Sequence, residues 1–207
     1  MPRQLHPSRF RPAGLTLVAA ASVALLAGCT TGTPEASATG APTTAPATAA
    51  PEPTAAPTET AEPPTPFEIA CDALVTADQL YEFNPNFGAA PDYEPSAEHV
   101  VTAVETDAGT ACGYLNQTSG EIIEIAVATP TASASEERRN EAAMTSKPVP
   151  TYGTPPEVEG YFVQAGGTGE AQVFHGPYWV VVDSEALFEP GDAQQLVAAV
   201  LANLPAA

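Results

Sequence analysis

Basic residues are scarce in this sequence and become rarer still after its first segment. Six of the 207 residues are Lys or Arg, against 25 Asp or Glu, and Arg3, Arg9 and Arg11 all precede Cys29. Every acidic residue follows Cys29, so the chain from there on has three basic and 25 acidic side chains, a net charge of −22. Binding a phosphate backbone requires clustered Lys and Arg, so this charge excludes nucleic acid as a partner. We interpret it as a solvated surface held off an acidic membrane, with attraction to a cationic ligand or protein as the alternative.

The sequence also lacks the motifs of common catalytic and calcium sites. It contains no Gly-x-Ser-x-Gly elbow, no His-Glu-x-x-His zinc helix and no EF-hand loop. The Gly-Gly-Thr-Gly segment at residues 166–169 has no Gly-Lys ending and lies between two predicted strands, so we interpret it as a hairpin turn and not as a phosphate loop.

Isolated titratable residues give no stronger signal for chemistry. His99 and His175 have no obvious nucleophilic partner and are interpreted as surface or strand residues. In so acidic a chain, pairs such as Glu121 and Glu124 arise from composition, and we interpret them as solvated carboxylates. We therefore predict no catalytic residues, no metal site and no cofactor, and a protein that is not an enzyme.

The first feature that is present is an export signal. After the three arginines comes an apolar run at residues 14–29, GLTLVAAASVALLAGC. A membrane-spanning helix needs about 20 apolar residues, and this run is shorter. A basic start followed by a short apolar segment is typical of a signal peptide. A soluble-secretion signal cleaved at an A-x-A-like site and an uncleaved anchor are the alternatives.

The run ends in Leu26-Ala27-Gly28-Cys29, which resembles the lipobox of bacterial lipoproteins. The resemblance implies cleavage between Gly28 and Cys29 and transfer of a diacylglyceryl group to the Cys29 thiol. We therefore expect a signal peptide over residues 1–28 and a mature chain anchored in the cell membrane, on its outer, extracytoplasmic face. Two acyl chains make such attachment stable, because each buried methylene contributes about 0.8 kcal/mol.

The segment that follows Cys29 has no side chain able to build a core. Its 37 residues, 30–66, include 11 Thr, 10 Ala and 9 Pro. Such a composition cannot offset the entropy lost on folding, so we predict a disordered tether, partly in polyproline II conformation. Residues 29–66 would thus be the lipidated cysteine and its flexible spacer.

Two cysteines remain once Cys29 carries lipid. An exported chain folds in an oxidising compartment, where a lone pair such as Cys71 and Cys112 usually forms a disulfide. The loop that it closes would restrict the unfolded chain by roughly 4 kcal/mol. The pair lacks the C-x-x-C spacing of a zinc site, so metal binding is not expected.

Residues 67–207 are long enough for a single domain with its own core. The sequence favours a helix over residues 97–107, and a strand over residues 99–104 is the alternative. The fold class predicted is α+β, with an antiparallel sheet of about five strands and three to four helices on one or both faces. Strands are predicted over residues 110–115, 121–129, 158–165, 170–175 and 178–184. Helices are predicted to start at the capping patterns Thr76/Gln79, Ser96, Ser133/Glu136 and Asp192/Gln195, the last with an apolar stripe of Leu196, Val197, Val200, Leu201 and Leu204.

This order, with one cysteine by the first helix and another in Cys112-Gly113-Tyr114, resembles small exported lipoproteins of actinobacteria. That family has a disulfide-linked domain of unknown function, similar in fold to the Mog1/PsbP-like α/β/α sandwich. The resemblance implies a sandwich with helices on both sides of the sheet. It implies no catalytic residues.

Aromatic residues gather in the last strands. Gly176-Pro177 predicts a type II′ turn that pairs His175 with Tyr178 and places Phe174 opposite Trp179. The aromatic side chains belong either to the core or to a binding groove formed by those that face outward. In the second case His175, Tyr178 and Trp179 are the candidate ligand-binding residues.

The function predicted from these features is a membrane-anchored, non-enzymatic binding domain at the cell envelope. It would bind an envelope protein or a small ligand, as an accessory to a transporter or sensor. A carrier of lipid or another apolar ligand is the alternative, and it requires a sizeable apolar cavity between sheet and helices. An enzyme acting on envelope polymers would require a cleft where histidine and carboxylate side chains converge.

Overall fold

The computed structural model describes residues 62–206. The predicted signal peptide, Cys29 and most of the tether lie outside the described residues. Within residues 62–206, no helix combines the length and the apolar composition needed to cross a bilayer.

One antiparallel sheet organises the described part of the chain, and it confirms the α+β class. Its strands lie in the order β1-β2-β3-β7-β6-β5-β4. Residues 62–206 thus hold seven strands instead of about five, and five α-helices instead of three to four. The strands are β1 Phe87–Ala89, β2 Thr110–Asn116, β3 Ile122–Ala128, β4 Lys147–Pro148, β5 Val158–Ala165, β6 Thr168–His175 and β7 Tyr178–Ser184. The helices are α1 Cys71–Leu74, α2 Ala77–Phe83, α3 Glu98–Glu105, α4 Ala132–Thr145 and α5 Pro190–Asn203, with a 3-10 turn at Pro150–Tyr152.

The two strands that were not predicted are the two edges of the sheet. β1 has three residues and contains Gly88, and β4 has two residues and contains Pro148. Sequence patterns identify strands from runs of four to eight residues, and glycine and proline argue against a strand. Such short segments become strands because the neighbouring strand offers hydrogen-bonding groups, so their own sequence shows no strand pattern.

The helix starts were predicted correctly where the capping contacts are local. The capping box at α2 is present, with Gln79 N donating to Thr76 Oγ1 over 3.3 Å and Thr76 N donating to Gln79 Oε1 over 2.9 Å. The start at Ser133 is wrong, because α4 begins two residues earlier and is capped by Thr131, whose hydroxyl accepts from Ala134 N. The run Thr-Ala-Ser offers two hydroxyls, and the sequence alone did not distinguish them.

The other two predicted caps also differ. Asp192 does not start α5 but lies inside its first turn, where it accepts from the backbone N–H of Glu189, the residue before the helix. Ser96 does not cap α3, because its hydroxyl and N–H are both directed at Glu124 of the sheet. A contact 28 residues away in sequence therefore competes with the local cap.

The last three strands follow the predicted register. His175 lies opposite Tyr178 and Phe174 opposite Trp179. The preceding turn is tighter than predicted, since β6 begins at Thr168 and only Gly166 and Gly167 form the loop. Both have positive φ, 64° and 97°, as a two-residue type I′ turn requires.

Helices cover both faces of the sheet. The helices α1, α2 and α5 pack on one face around a large apolar core, to which Tyr178, Val180 and Val182 of β7 contribute. The helices α3 and α4 cover the other face, which receives Trp179 and Val181 of β7. The predicted stripe of α5 packs on the first face, with Leu196, Val197 and Val200 buried and Leu201 and Leu204 partly buried.

The predicted disulfide is present. Cys71 and Cys112 are bonded, and their Cα atoms lie 5.6 Å apart. The bond attaches α1 to β2. Tyr114 adds a second link, because its hydroxyl donates to the carbonyl of Cys71 over 3.0 Å.

Candidate functional site

The structure does not bring the three predicted ligand-binding residues together. Tyr178 lies in the first core and is only 7% exposed. Its ring packs edge-to-face with that of Phe67, and the two ring centroids lie 5.4 Å apart. Trp179 is completely buried on the opposite face. His175 lies at the end of β6, and its Nδ1 donates to the carbonyl of Glu157 over 3.0 Å. Successive side chains of β7 point to opposite faces of the sheet, so Tyr178 and Trp179 cannot line one groove.

Trp179 is surrounded by polar groups that fix it in place. Its indole N–H donates to Gln172 Oε1 over 3.1 Å. The guanidinium of Arg138 lies 4.7 Å from the ring centroid, and the His99 ring meets Trp179 edge-on at 5.8 Å. A buried tryptophan with a satisfied N–H and a cation on its face is a well-held core residue.

The same helix that supplies Arg138 directs a second arginine inward. Arg138 Nη2 lies 2.7 Å from Asp107 Oδ2, and 12% and 3% of the two side chains are exposed. Arg139 lies 5.1 Å from the Phe174 ring centroid and 3.4 Å from the Glu159 carboxylate. Burial raises the pKa of Asp107, while Arg138 acts in the opposite direction. Two of the three basic side chains that follow Cys29 are thus paired with carboxylates, Arg138 in a buried contact and Arg139 in a partly exposed one.

A row of carboxylates crosses the α3 side of the sheet. Glu124 of β3 lies opposite Asp183 of β7, and Asp183 lies opposite Glu170 of β6. Residues in register on adjacent strands share a face, so the three side chains are neighbours. We call these three residues the carboxylate row. The interpretation of Glu124 as a solvated carboxylate is wrong, because only 6% of it is exposed.

Hydrogen bonds hold Glu124 ionised in this position. Tyr93 Oη donates to it over 2.7 Å and Ser96 N over 2.9 Å, with further bonds from the Ser96 hydroxyl and from Ala97 N. Burial acts to raise the pKa of Glu124, but these bonds together prevail and lower it. The Tyr93 ring packs directly over Gly113, where a Cβ would overlap it. Glu124 therefore fixes the loop before α3 on the sheet.

Around the other two members of the row, pKa values are raised, that of His99 beside Glu170 and that of Asp183 itself. His99 Nδ1 lies 2.8 Å from Glu170 Oε2, and this hydrogen bond raises the pKa of His99 against the opposing effect of burial. Burial, with the charges of Glu170 and Glu124, raises the pKa of Asp183 to about 7. The row thus exchanges a proton near neutral pH. Asp183 and Glu124 also line a concavity of about 300 Å³, together with Glu121 and Glu185.

An open apolar groove lies on the other side of the sheet, beside β1. Its volume is about 220 Å³. Tyr81 lies at its border and is 67% exposed, although its neighbour Leu80 is buried in the core. We call this feature the Tyr81 groove. It is lined by Cys71, Asp72, Val75, Ala77, Leu80, Tyr81, Phe87, Gly88, Ala89 and Tyr114.

A second concavity lies at the opposite edge of the sheet, near β4 and β5. Its volume is about 450 Å³. Phe188 borders it with 68% exposure, and Met144, 81% exposed, is adjacent to its lining residue Thr145. We call it the Phe188 hollow. It is lined by Thr145, Ser146, Lys147, Phe162, Val163, Gln164, Phe188, Glu189 and Pro190.

Sequence reasoning missed both concavities, although one signal for the first was available. Leu80 and Phe83 are three residues apart and lie on the same side of α2. Tyr81 falls off that side, so the helical spacing alone places its ring away from the core. Comparison with protein-family models, curated proteins and solved structures finds no match to this chain.

Proposed function

We propose that this chain is a bacterial lipoprotein, anchored through diacylglyceryl-Cys29 to the outer face of the cell membrane, whose acidic domain binds a partner protein of the envelope. It acts without catalysis, as an accessory to a transporter or sensor. The observation that carries the proposal is the Tyr81 groove, an apolar groove at the edge of the sheet with an exposed aromatic side chain at its border.

The size of the groove favours a protein partner over a small molecule. Pockets for drug-sized ligands occupy roughly 300 to 1,000 Å³, and the Tyr81 groove is smaller. A groove of this size accepts a side chain of a partner, and tyrosine is among the residues that dominate binding energy at protein interfaces. The disulfide between α1 and β2 holds the groove in shape before binding, which reduces the entropic cost of association.

The charge of the domain fits its proposed location. An acidic globule is repelled by anionic headgroups, and a flexible spacer would allow it to remain in solvent above them. Arg138 and Arg139 are paired with Asp107 and Glu159, so neither adds an unpaired positive charge to the surface.

Site-directed photo-crosslinking in native membranes tests the proposal. A crosslinking amino acid at position 81 of the full-length chain should capture a specific envelope protein. The same amino acid at Glu136, an exposed position on α4, serves as the matched control and should not. Capture of lipid alone from position 81, or equal capture from both positions, would contradict a protein-binding groove.

The anchor has its own test. Intact-mass measurement of the membrane fraction should find a chain that starts at Cys29 and carries the mass of a diacylglyceryl group. An unmodified Cys29, or a chain that still begins at Met1, would refute lipidation.

The second candidate is a carrier of an apolar ligand, and its site would be the Phe188 hollow, which lies at the edge of the sheet and not between sheet and helices as predicted. Its apolar lining is Phe162, Val163, Phe188 and Pro190. Its volume of about 450 Å³ lies within the range of small-molecule pockets. Native mass spectrometry of the extracted protein should then show a bound lipid that is lost in Phe188→Ala and retained in Tyr81→Ala. Purification without any bound lipid from native membranes would count against the carrier.

A further inference from the structure

Within residues 62–206, the edge strand β1 has backbone groups that face no neighbouring strand. Ala90 N donates to Gly113 O over 3.0 Å, and Gln117 N donates to Asn86 O over 2.8 Å. Hydrogen-bonding direction alternates along an antiparallel strand, so residues 86, 88 and 90 face β2 and residues 87 and 89 face outward. The N–H of Phe87 is used by Asn84 O, which leaves the Phe87 carbonyl and both backbone groups of Ala89 directed away from the sheet.

The two edges of the sheet differ in how they are protected. β4 consists of Lys147 and Pro148, and a charged lysine and a proline are the usual devices that prevent pairing with another chain. β1 consists of Phe87, Gly88 and Ala89 and has neither device. Its shortness limits unwanted pairing, so a strand added there needs further contacts to bind stably.

The Tyr81 groove provides those contacts at the same place. All three residues of β1 line it, together with Leu80, Tyr81 and Tyr114. Successive side chains of an added strand point to opposite faces. One apolar side chain of such a strand would therefore enter the groove while its backbone pairs with Ala89.

The charge around the groove specifies the other side chains. Asp72 lines it, and Asp78 and Glu82 are exposed on α2. No basic residue occurs between Arg11 and Arg138, so nothing in this part of the sequence neutralises these acids. A complementary partner segment is basic.

We infer that the Tyr81 groove binds an extended basic segment of the partner protein, which pairs with β1 as an additional strand and inserts one apolar side chain beside Tyr81. Adding a strand in this way is an established mode of peptide recognition, in which main-chain bonds give affinity and a pocket gives specificity. The inference rests on the proposed function and names the chemistry of the partner at that site.

Peptide titration of the purified full-length chain, observed through its backbone amide NMR signals, tests the inference. The probe is a peptide of alternating Lys and Val, and the control is its counterpart of alternating Glu and Val. The basic peptide should shift the amides of Gly88 and Ala89, and its affinity should fall at least tenfold between roughly 0.05 and 0.5 M salt. Equal binding of the acidic peptide, or shifts confined to another surface, would overturn the inference.

Two variants separate the strand from the groove. Ala89→Pro removes the outward N–H without breaking a bond to β2, and it should weaken binding about tenfold or more. Tyr81→Ala should weaken it to a similar extent, whereas Met144→Ala, at a more exposed apolar residue elsewhere, should leave it unchanged. Since Tyr81 is largely exposed, its loss should leave the fold intact, which an unchanged melting temperature would verify.

Membrane crosslinking distinguishes this inference from the proposed function. If Ala89→Pro retains full capture of a protein from position 81, the groove binds a partner but not by strand addition. If position 81 captures no protein, the proposed function fails together with the inference.

Discussion

The two faces of the sheet are both buried, but they are built from different chemistry. The α5 face is a continuous apolar core that includes Leu196, Val197 and Val200. The α3–α4 face has a smaller apolar core around Trp179 and Phe174, bordered by the Arg138–Asp107 pair and the carboxylate row. Apolar packing needs only a fitting shape, whereas each buried charge needs its partner. The first face should therefore tolerate conservative changes, and the second should depend on specific pairs and on pH.

The largest effect is expected at Trp179. Trp179→Ala leaves a cavity and an unpaired Gln172 Oε1, and it should lower the free energy of unfolding by about 3 to 5 kcal/mol. On the other face, Val180→Ala removes a smaller side chain that is equally buried and should cost less. Urea denaturation of the two variants measures the difference. An unchanged midpoint for Trp179→Ala would show that its surroundings do not hold it as described.

The disulfide is the next largest contribution, and it acts on the α1–α2 side. Replacing Cys71 and Cys112 with Ser together should lower the free energy of unfolding by about 3 to 4 kcal/mol, because the unfolded chain regains the freedom of the closed loop. Thermal unfolding of the double variant checks this value. Equal melting temperatures of the original chain and the double variant, or of the original chain with and without reductant, would contradict it. Peptide binding at the Tyr81 groove should weaken in parallel, since α1 lines the groove.

The Arg138–Asp107 pair tests whether the second face depends on matched charges. Arg138→Met leaves Asp107 buried without its partner and should cost about 3 kcal/mol, the low end of the range for a buried pair, because 12% of the Arg138 side chain remains exposed. Combining it with Asp107→Leu removes both charges and should restore most of the loss. If the double variant is no more stable than Arg138→Met, the pair is not the cause of the cost.

The contrast between the faces also shows what the sequence could predict. The positions of the long strands along the chain followed from alternation and the disulfide from the cysteine count, because these signals are local or compositional. The carboxylate row was missed because Glu124, Glu170 and Asp183 come from three strands, and only the register brings them side by side. The Tyr81 groove was missed for a related reason, since three of its ten lining residues belong to an edge strand too short to predict.

The smallest predicted effect concerns the proton held by the carboxylate row. The pKa of Asp183 is about 7 in the folded chain and about 3.9 in an unfolded one, so between these values the folded state binds a proton that the unfolded state lacks. Stability from this group is fully present below pH 4 and is lost as the pH rises through 7. His99, whose pKa is raised above 6.5, adds a loss of the same sign. The pKa of Glu124 is lowered, so the stability that its ionised form contributes is lost at low pH. The domain should therefore be most stable in mildly acidic solution.

Asp183→Asn isolates this contribution. An amide of similar shape cannot ionise next to Glu124 and Glu170, so the variant should be more stable than the original chain at pH 8 by about 1 kcal/mol, a value kept small because Asp183 is only partly buried. Asp92→Asn removes the same charge from an exposed loop and is the matched control. Melting temperatures measured from pH 5 to pH 8 should decline less steeply for Asp183→Asn than for Asp92→Asn. Parallel curves for the two variants would place the pH dependence outside the carboxylate row, and the two faces would then no longer differ in this respect.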